Sequence, residues 1–201
     1  MKASVCGWYG HHNVGDEAYR LVFPLLFPGS TFRFADEAAG LSHADAVILG
    51  GGDVLTKPML KAAMTIPPPR FAMSVSATSC DDPAAVASGF QEVWVRDRRS
   101  LEKMLRAGAN ARLVPDFAFA LQPNPARGRT LVTEQFRATG SELYSGLVAV
   151  VVNAHVAVRD GCLARDEAWF MTFAHSFGWV ADHINASFLF LPFGTAAPWD
   201  D

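Results

Sequence analysis

Short apolar runs rich in Val, Ile and Phe, separated by stretches of helical periodicity, most narrow what this chain can become. Parallel strands buried on both faces read as continuous apolar runs and need helical crossovers between them. The pattern therefore predicts an α/β protein with a Rossmann-like, doubly wound, mostly parallel sheet. Its strands are expected at Lys2–Gly7, Thr31–Phe34, Ala46–Leu49, Arg70–Val75, Glu92–Val95 and Arg112–Val114. The first helix is expected to begin near Asp16, to turn Ala18, Leu21, Val22 and Leu25 inward, and to stop at Pro28-Gly29. Another follows Asp97, with Leu101, Met104 and Leu105 at helical spacing and Gly108 as its stop.

From Gln122 to Gly128 the composition shifts to Pro, Asn, Arg and Gly, which favours extended or turning backbone. This places a first lobe at 1–125, a linker at 126–145 and an incomplete β-α-β start of a second lobe at 146–201. The latter is built from strands at Leu147–Val152 and Phe188–Leu191 with a helix across about Asp166–Asn185. One such unit exposes sheet edges and a helix face, so it must pack on the first lobe, on further sequence, or on another chain in a homo-oligomer or complex. Trp169, Phe170, Phe173, Phe177 and Trp179 are expected to fill its core or, if uncovered, to form an interface for a partner chain.

A formal net charge of -3 with no dense Lys/Arg block argues against a nucleic-acid partner. No apolar stretch approaches the roughly 18–20 residues of a membrane span, and the start turns polar too early for a secretion signal. Cys6, Cys80 and Cys162 lack metal-ligand spacing. These features suit a soluble protein of the reducing cytoplasm.

The chemistry is expected where strands run into glycine. The turn Gly7-Trp8-Tyr9-Gly10-His11-His12-Asn13-Val14-Gly15-Asp16 opens a helix whose free N–H groups can hold an anion. Its glycine spacing is not that of a dinucleotide site, no P-loop follows, and no cofactor or metal is expected. Of the adjacent His11 and His12, one is expected to face solvent or pack on Trp8 or Tyr9, and either could touch ligand. Gly50-Gly51-Gly52-Asp53 ends the third strand on the edge where open α/β sheets bind ligands. Close approach of a ligand or a strained turn would each explain three glycines. Arg96 could fork to a phosphate or carboxylate, or pair with Asp97, and Asp116 is either a helix cap or a functional carboxylate at the same rim. His155 lies at a strand end, whereas His175 and His183 fall within a helix and read as structural.

Taken in order, Gly7–Gly10 with Asn13–Glu17, then Ala44–Gly52, then Val95-Arg96-Asp97 with Ser100, then Pro115-Asp116, resemble the polysaccharide pyruvyl transferase family over about residues 1–121. Leu189–Phe193 with Asp200-Asp201 extends the resemblance. It implies a two-lobed GT-B-type enzyme that transfers pyruvate from phosphoenolpyruvate onto two sugar hydroxyls as a ketal, with Arg96 on the donor side. Gly10, His11, His12, Asn13, Gly15, Asp16, Gly50, Gly51, Gly52, Asp53, Arg96 and Asp116 are the substrate-binding candidates on the expected rim. An Arg-x-His motif that the resemblance assigns to the second lobe is absent from these 201 residues. A cleft lacking that wall is expected to be a poor catalyst. A nucleotide-sugar glycosyltransferase lobe and a non-catalytic interaction module are the competing readings.

Overall fold

A computed structural model describes residues 1–11, 13–35, 44–67, 69–140, 146–152, 167–184 and 186–192, excepting the side chains of 151–152, 167–174, 182 and 190–192. Strands β1 Lys2–Cys6, β2 Thr31–Ala35, β3 Ala46–Gly50, β4 Arg70–Val75, β5 Glu92–Val95 and β6 Ala111–Leu113 form one parallel sheet in the order β2-β1-β3-β4-β5-β6. Each overlaps the strand expected from sequence. The winding direction reverses between β1 and β3, and open sheets bind ligands in the crevice at the carboxyl ends of strands at such a reversal.

Side-chain alternation sorts the helices onto two faces. Ala3 and Val5 of β1, Ile48 of β3 and Met73 of β4 share a core layer with Tyr19 and Phe23 of α1, Val14–Leu26. Cys6, Val47, Leu49, Ala72, Val93 and Val95 point the other way, against α2 Lys57–Met64, α3 Pro83–Gly89 and α4 Arg98–Arg106. Most of these side chains are fully buried, each worth roughly 1.5–3 kcal/mol when large and aliphatic or aromatic.

α1 departs from expectation at both its start and its face. Asn13 rather than Asp16 is the cap, its side chain accepting the Asp16 N–H at 3.2 Å. Tyr19, Val22 and Phe23 turn inward, while Leu21 and Leu25 are 66% and 54% exposed. The aromatic pair wins because Phe23 enters a ring cluster with Phe27, Phe32, Phe34 and Phe117, where area and edge-on contacts add. α4 starts on Asp97 and stops at Gly108 as expected, although Leu105 faces solvent.

By contact the chain divides into Met1–Gln122 and Pro123–Asp201. In the second unit α5, Pro125–Ala138, begins inside the Gln122–Gly128 stretch expected to be extended or turning and runs on through the expected linker. Asn124 caps it by accepting the Arg127 N–H at 2.9 Å, and Pro125 takes a first-turn position where a missing N–H costs little. What looked like turn composition is a helix start. β7 Gly146–Val152 and β8 Ala186–Pro192 pair in parallel, with α6 Glu167–Ile184 between them in sequence. Phe177 packs edge-on against Phe188, but Trp179 is 63% exposed rather than core. His183 bonds the Trp179 carbonyl. The side chains of Trp169, Phe170 and Phe173, and all of His155 and Cys162, lie outside the described residues. Cys6 and Cys80 are both buried, with Cys6 Sγ 3.6 Å from the Met59 sulfur. Among the described residues no helix is long and apolar enough to cross a membrane.

Two glycines separate backbone strain from crowding. Gly108 has φ +82° with open space around a built Cβ, whereas at Gly51, φ +79°, a Cβ would lie 2.6 Å from the Tyr19 ring. Gly108→Ala is expected to cost about 1 kcal/mol and Gly51→Ala about 2–4 kcal/mol, measured by urea unfolding.

Candidate functional site

Three successive glycines meet three successive residues of one helical stripe. A Cβ on Gly50 would sit 2.9 Å from the Phe23 ring, one on Gly51 would strike Tyr19, and one on Gly52 would lie 2.9 Å from Asp16 Oδ1. Asp16, Tyr19 and Phe23 are spaced as one face of α1. Tyr9 joins the β1 turn to the same place, its hydroxyl donating to the Gly50 carbonyl at 2.5 Å. The glycines are thus required by this chain's own close packing. The turns after β1 and β3 form one continuous rim at the reversal point.

β4 adds a bulge. Met73 pairs with Trp94 and Val75 with Val95, leaving Ser74 as the extra residue at φ 59°. Met73 and Ser74 therefore both face α1, and Val75 returns to the opposite layer. Ser74, fully buried, accepts the Phe117 N–H at 2.9 Å and lies 3.0 Å from the Tyr19 hydroxyl. Tyr19 donates to Asp116 Oδ1 at 2.7 Å, and Arg96 Nη1 donates to Asp116 Oδ2 at 2.7 Å. The result is a relay Ser74–Tyr19–Asp116–Arg96 across the carboxyl ends of β4, β5 and β6.

The two carboxyls of this rim are driven in opposite directions. Burial disfavours ionised Asp116, but hydrogen bonds from Tyr19, the Ala118 amide and Arg96 outweigh it and hold the group below the usual carboxylate range. Asp16 is pushed up to about 6, chiefly by burial, with Glu17 adding to the rise and Arg96 and His11 opposing it. Among the described residues none donates a hydrogen bond to its carboxylate. Burial also pushes the Tyr19 hydroxyl well above its ordinary value, so it stays a donor.

Residues 7–167 of the chain match the profile of the polysaccharide pyruvyl transferase family. The chain belongs to that family. No protein of curated function matches it.

Several candidates from sequence meet on this rim of the pyruvyl transferase fold. Gly50, Gly51, Gly52, Asp16, Arg96 and Asp116 are linked by the contacts above. Asn13 and Gly15 stand at the start of α1. The Gly10 N–H, however, donates to Glu17 at 2.6 Å and the Asp16 N–H to Asn13, so these amides are taken by the chain's own side chains rather than open to an anion. His11 stacks on Trp8 at 4.0 Å, while His12 lies outside the described residues. Asp53 is exposed and accepts from Thr78 and Ser79. Arg96 pairs with Asp116 rather than Asp97, whose carboxylate caps α4 through Ser100. Asp116 is both a cap, accepting the Ala118 N–H, and a partner of Arg96.

Sequence reasoning missed Tyr19 and Ser74. The three- and four-residue spacing of Asp16, Tyr19 and Phe23 was the available signal for Tyr19, whereas nothing in Met73-Ser74-Val75 announces a left-handed serine.

A carboxyl raised in the folded state binds its proton more tightly there. Its contribution to stability is present below pH 4 and is lost as pH rises through 6. The shift from 3.8 to about 6 is worth roughly 3 kcal/mol by linkage, reduced by solvent screening to about 1–2 kcal/mol. Asp16→Asn should therefore stabilise the protein by about that amount at pH 8 and by nearly nothing at pH 4, measured by chemical unfolding at each pH. Tyr19→Phe should cost about 1–2 kcal/mol, because Asp116 and Ser74 both lose a buried partner.

Proposed function

We propose that this chain holds phosphoenolpyruvate against a sugar acceptor on the rim of its first unit, as part of a GT-B-type enzyme that forms a cyclic pyruvate ketal. In this reading residues 1–125 are the N-terminal lobe, 126–145 the connection and 146–201 the start of the second lobe, and the reaction belongs to the cytoplasm. One observation carries it. A carboxyl pushed up to about 6 and an arginine sense each other across the strand-reversal crevice.

The transfer needs two C–O bonds from sugar hydroxyls to the central donor carbon while the bond from that carbon to the phosphate oxygen breaks. Of the two hydroxyl protons, one ends on the donor's methylene carbon, making a methyl group, and the other leaves with phosphate. Asp16 takes a hydroxyl proton and delivers it to that carbon, a dual role suited to a group titrating near working pH. A guanidinium has five N–H donors, of which Asp116 takes one, so Arg96 can also fork to the donor's phosphate or carboxylate. Tyr19 and Ser74 position Asp116, and through it Arg96.

The test is calorimetry with phosphoenolpyruvate and with a nucleotide sugar, followed by phosphate release in the presence of glycan acceptors. Phosphoenolpyruvate should bind, and Arg96→Gln should weaken it about tenfold or more. Asp16→Asn should lower turnover about a hundredfold or more and remove the limb of the pH profile near 6. Binding of the nucleotide sugar with phosphoenolpyruvate ignored would sink this reading in favour of a glycosyltransferase.

A further inference from the structure

A cavity of about 480 Å³ opens over α4, lined by Thr78, Arg99, Glu102, Lys103 and Arg106. The four α4 residues stand at spacings of three and four, on one helix face. Three cations face one carboxylate there, in a chain whose net charge is -3. The carboxylate is a weak counterweight, since Glu102 and Arg106 approach to 3.8 Å with side chains 68% and 78% exposed. Lys103 Nζ donates to the carbonyls of Thr78 at 3.1 Å and Cys80 at 2.8 Å, neutral groups that orient the ammonium without cancelling its charge. The Arg99 side chain makes no ion pair or hydrogen bond among the described residues.

The cavity is tied to the rim. The Thr78 hydroxyl reaches Asp53, the residue that follows Gly52, and the Gly52 carbonyl accepts the Ser76 N–H at 2.8 Å. The β4–α3 connection thus borders the glycine turn on one side and the α4 cations on the other. We propose that this cavity binds an oxyanion, a carboxylate or phosphate, carried by a sugar of the acceptor neighbouring the one that is modified. That the anion belongs to the acceptor rests on the pyruvyl transfer reading; that the cavity takes a sugar-borne oxyanion does not. Arg99 and Arg106 supply forked donors, Lys103 a fixed point charge and Thr78 a hydroxyl.

The experiment is calorimetry on the whole chain, without donor, using trigalacturonate, galactose 1-phosphate and neutral maltotriose. At least one anionic sugar should bind about tenfold or more tightly than maltotriose, and weaken as salt rises. The arm that binds identifies the group as carboxylate or phosphate. Arg99→Glu combined with Arg106→Gln should lower that affinity about tenfold or more, with the melting temperature and phosphoenolpyruvate affinity unchanged. Equal affinity for maltotriose, binding of none of the three, or parent-like binding by the double variant would overturn the proposal. Loss of phosphoenolpyruvate turnover with anionic-sugar binding intact would strike the proposed reaction and leave the cavity assigned.

Discussion

Close apposition of α1 to the turn after β3 is the contact on which the rest of the first unit depends. Gly50, Gly51 and Gly52 present bare backbone to Phe23, Tyr19 and Asp16 in turn, so a helix can lie where any side chain would hold it off. Phe23 carries the hydrophobic part of that apposition, through its cluster of neighbouring rings. Tyr19 reaches beyond it to Asp116, and Asp16 is carried to the rim whether or not its charge is welcome there.

That last point explains why one rim holds two carboxyls of opposite character. Asp116 is surrounded by donors, stays ionised and anchors Arg96. Asp16 is placed by packing and accepts no side-chain hydrogen bond from the described residues, and the attraction of Arg96 and His11 does not outweigh its desolvation. A fold under selection for stability alone would put a neutral residue at that position. Sites whose environments push neighbouring acids apart are where acid and base roles divide, and a destabilising charge kept at a cleft is more readily understood as function than as architecture.

The sheet was legible in the sequence because its central strands are buried on both faces, which leaves uninterrupted runs such as Ala46–Leu49 that cannot be mistaken for a surface element. Glycine at the ends of β1 and β3 then marked the rim. Less was visible where two physical demands compete. Leu21 and Leu25 have the better hydrophobic credentials, yet Tyr19 and Phe23 take the interior because rings fit the cluster. Asn124-Pro125 has the composition of a turn and the chemistry of a helix cap, and only the backbone decides between them. Polar atoms in a relay are harder still, since Ser74, Tyr19 and Asp116 are far apart in the chain and their meeting follows from sheet order.

The extra residue in β4 also fixes the parity of that strand. Up to Met73 alternate side chains go to opposite layers; Ser74 repeats the direction of Met73, and Val75 resumes in the opposite phase. Drawing Ser74 into the ladder as an ordinary residue would invert everything downstream and drive Val75 in among the rings, whereas deleting it would leave Val75 in its layer opposite Val95 and remove only the hydroxyl that meets Tyr19. The insertion thus lends a polar group to the relay without disturbing the packing on either side of it.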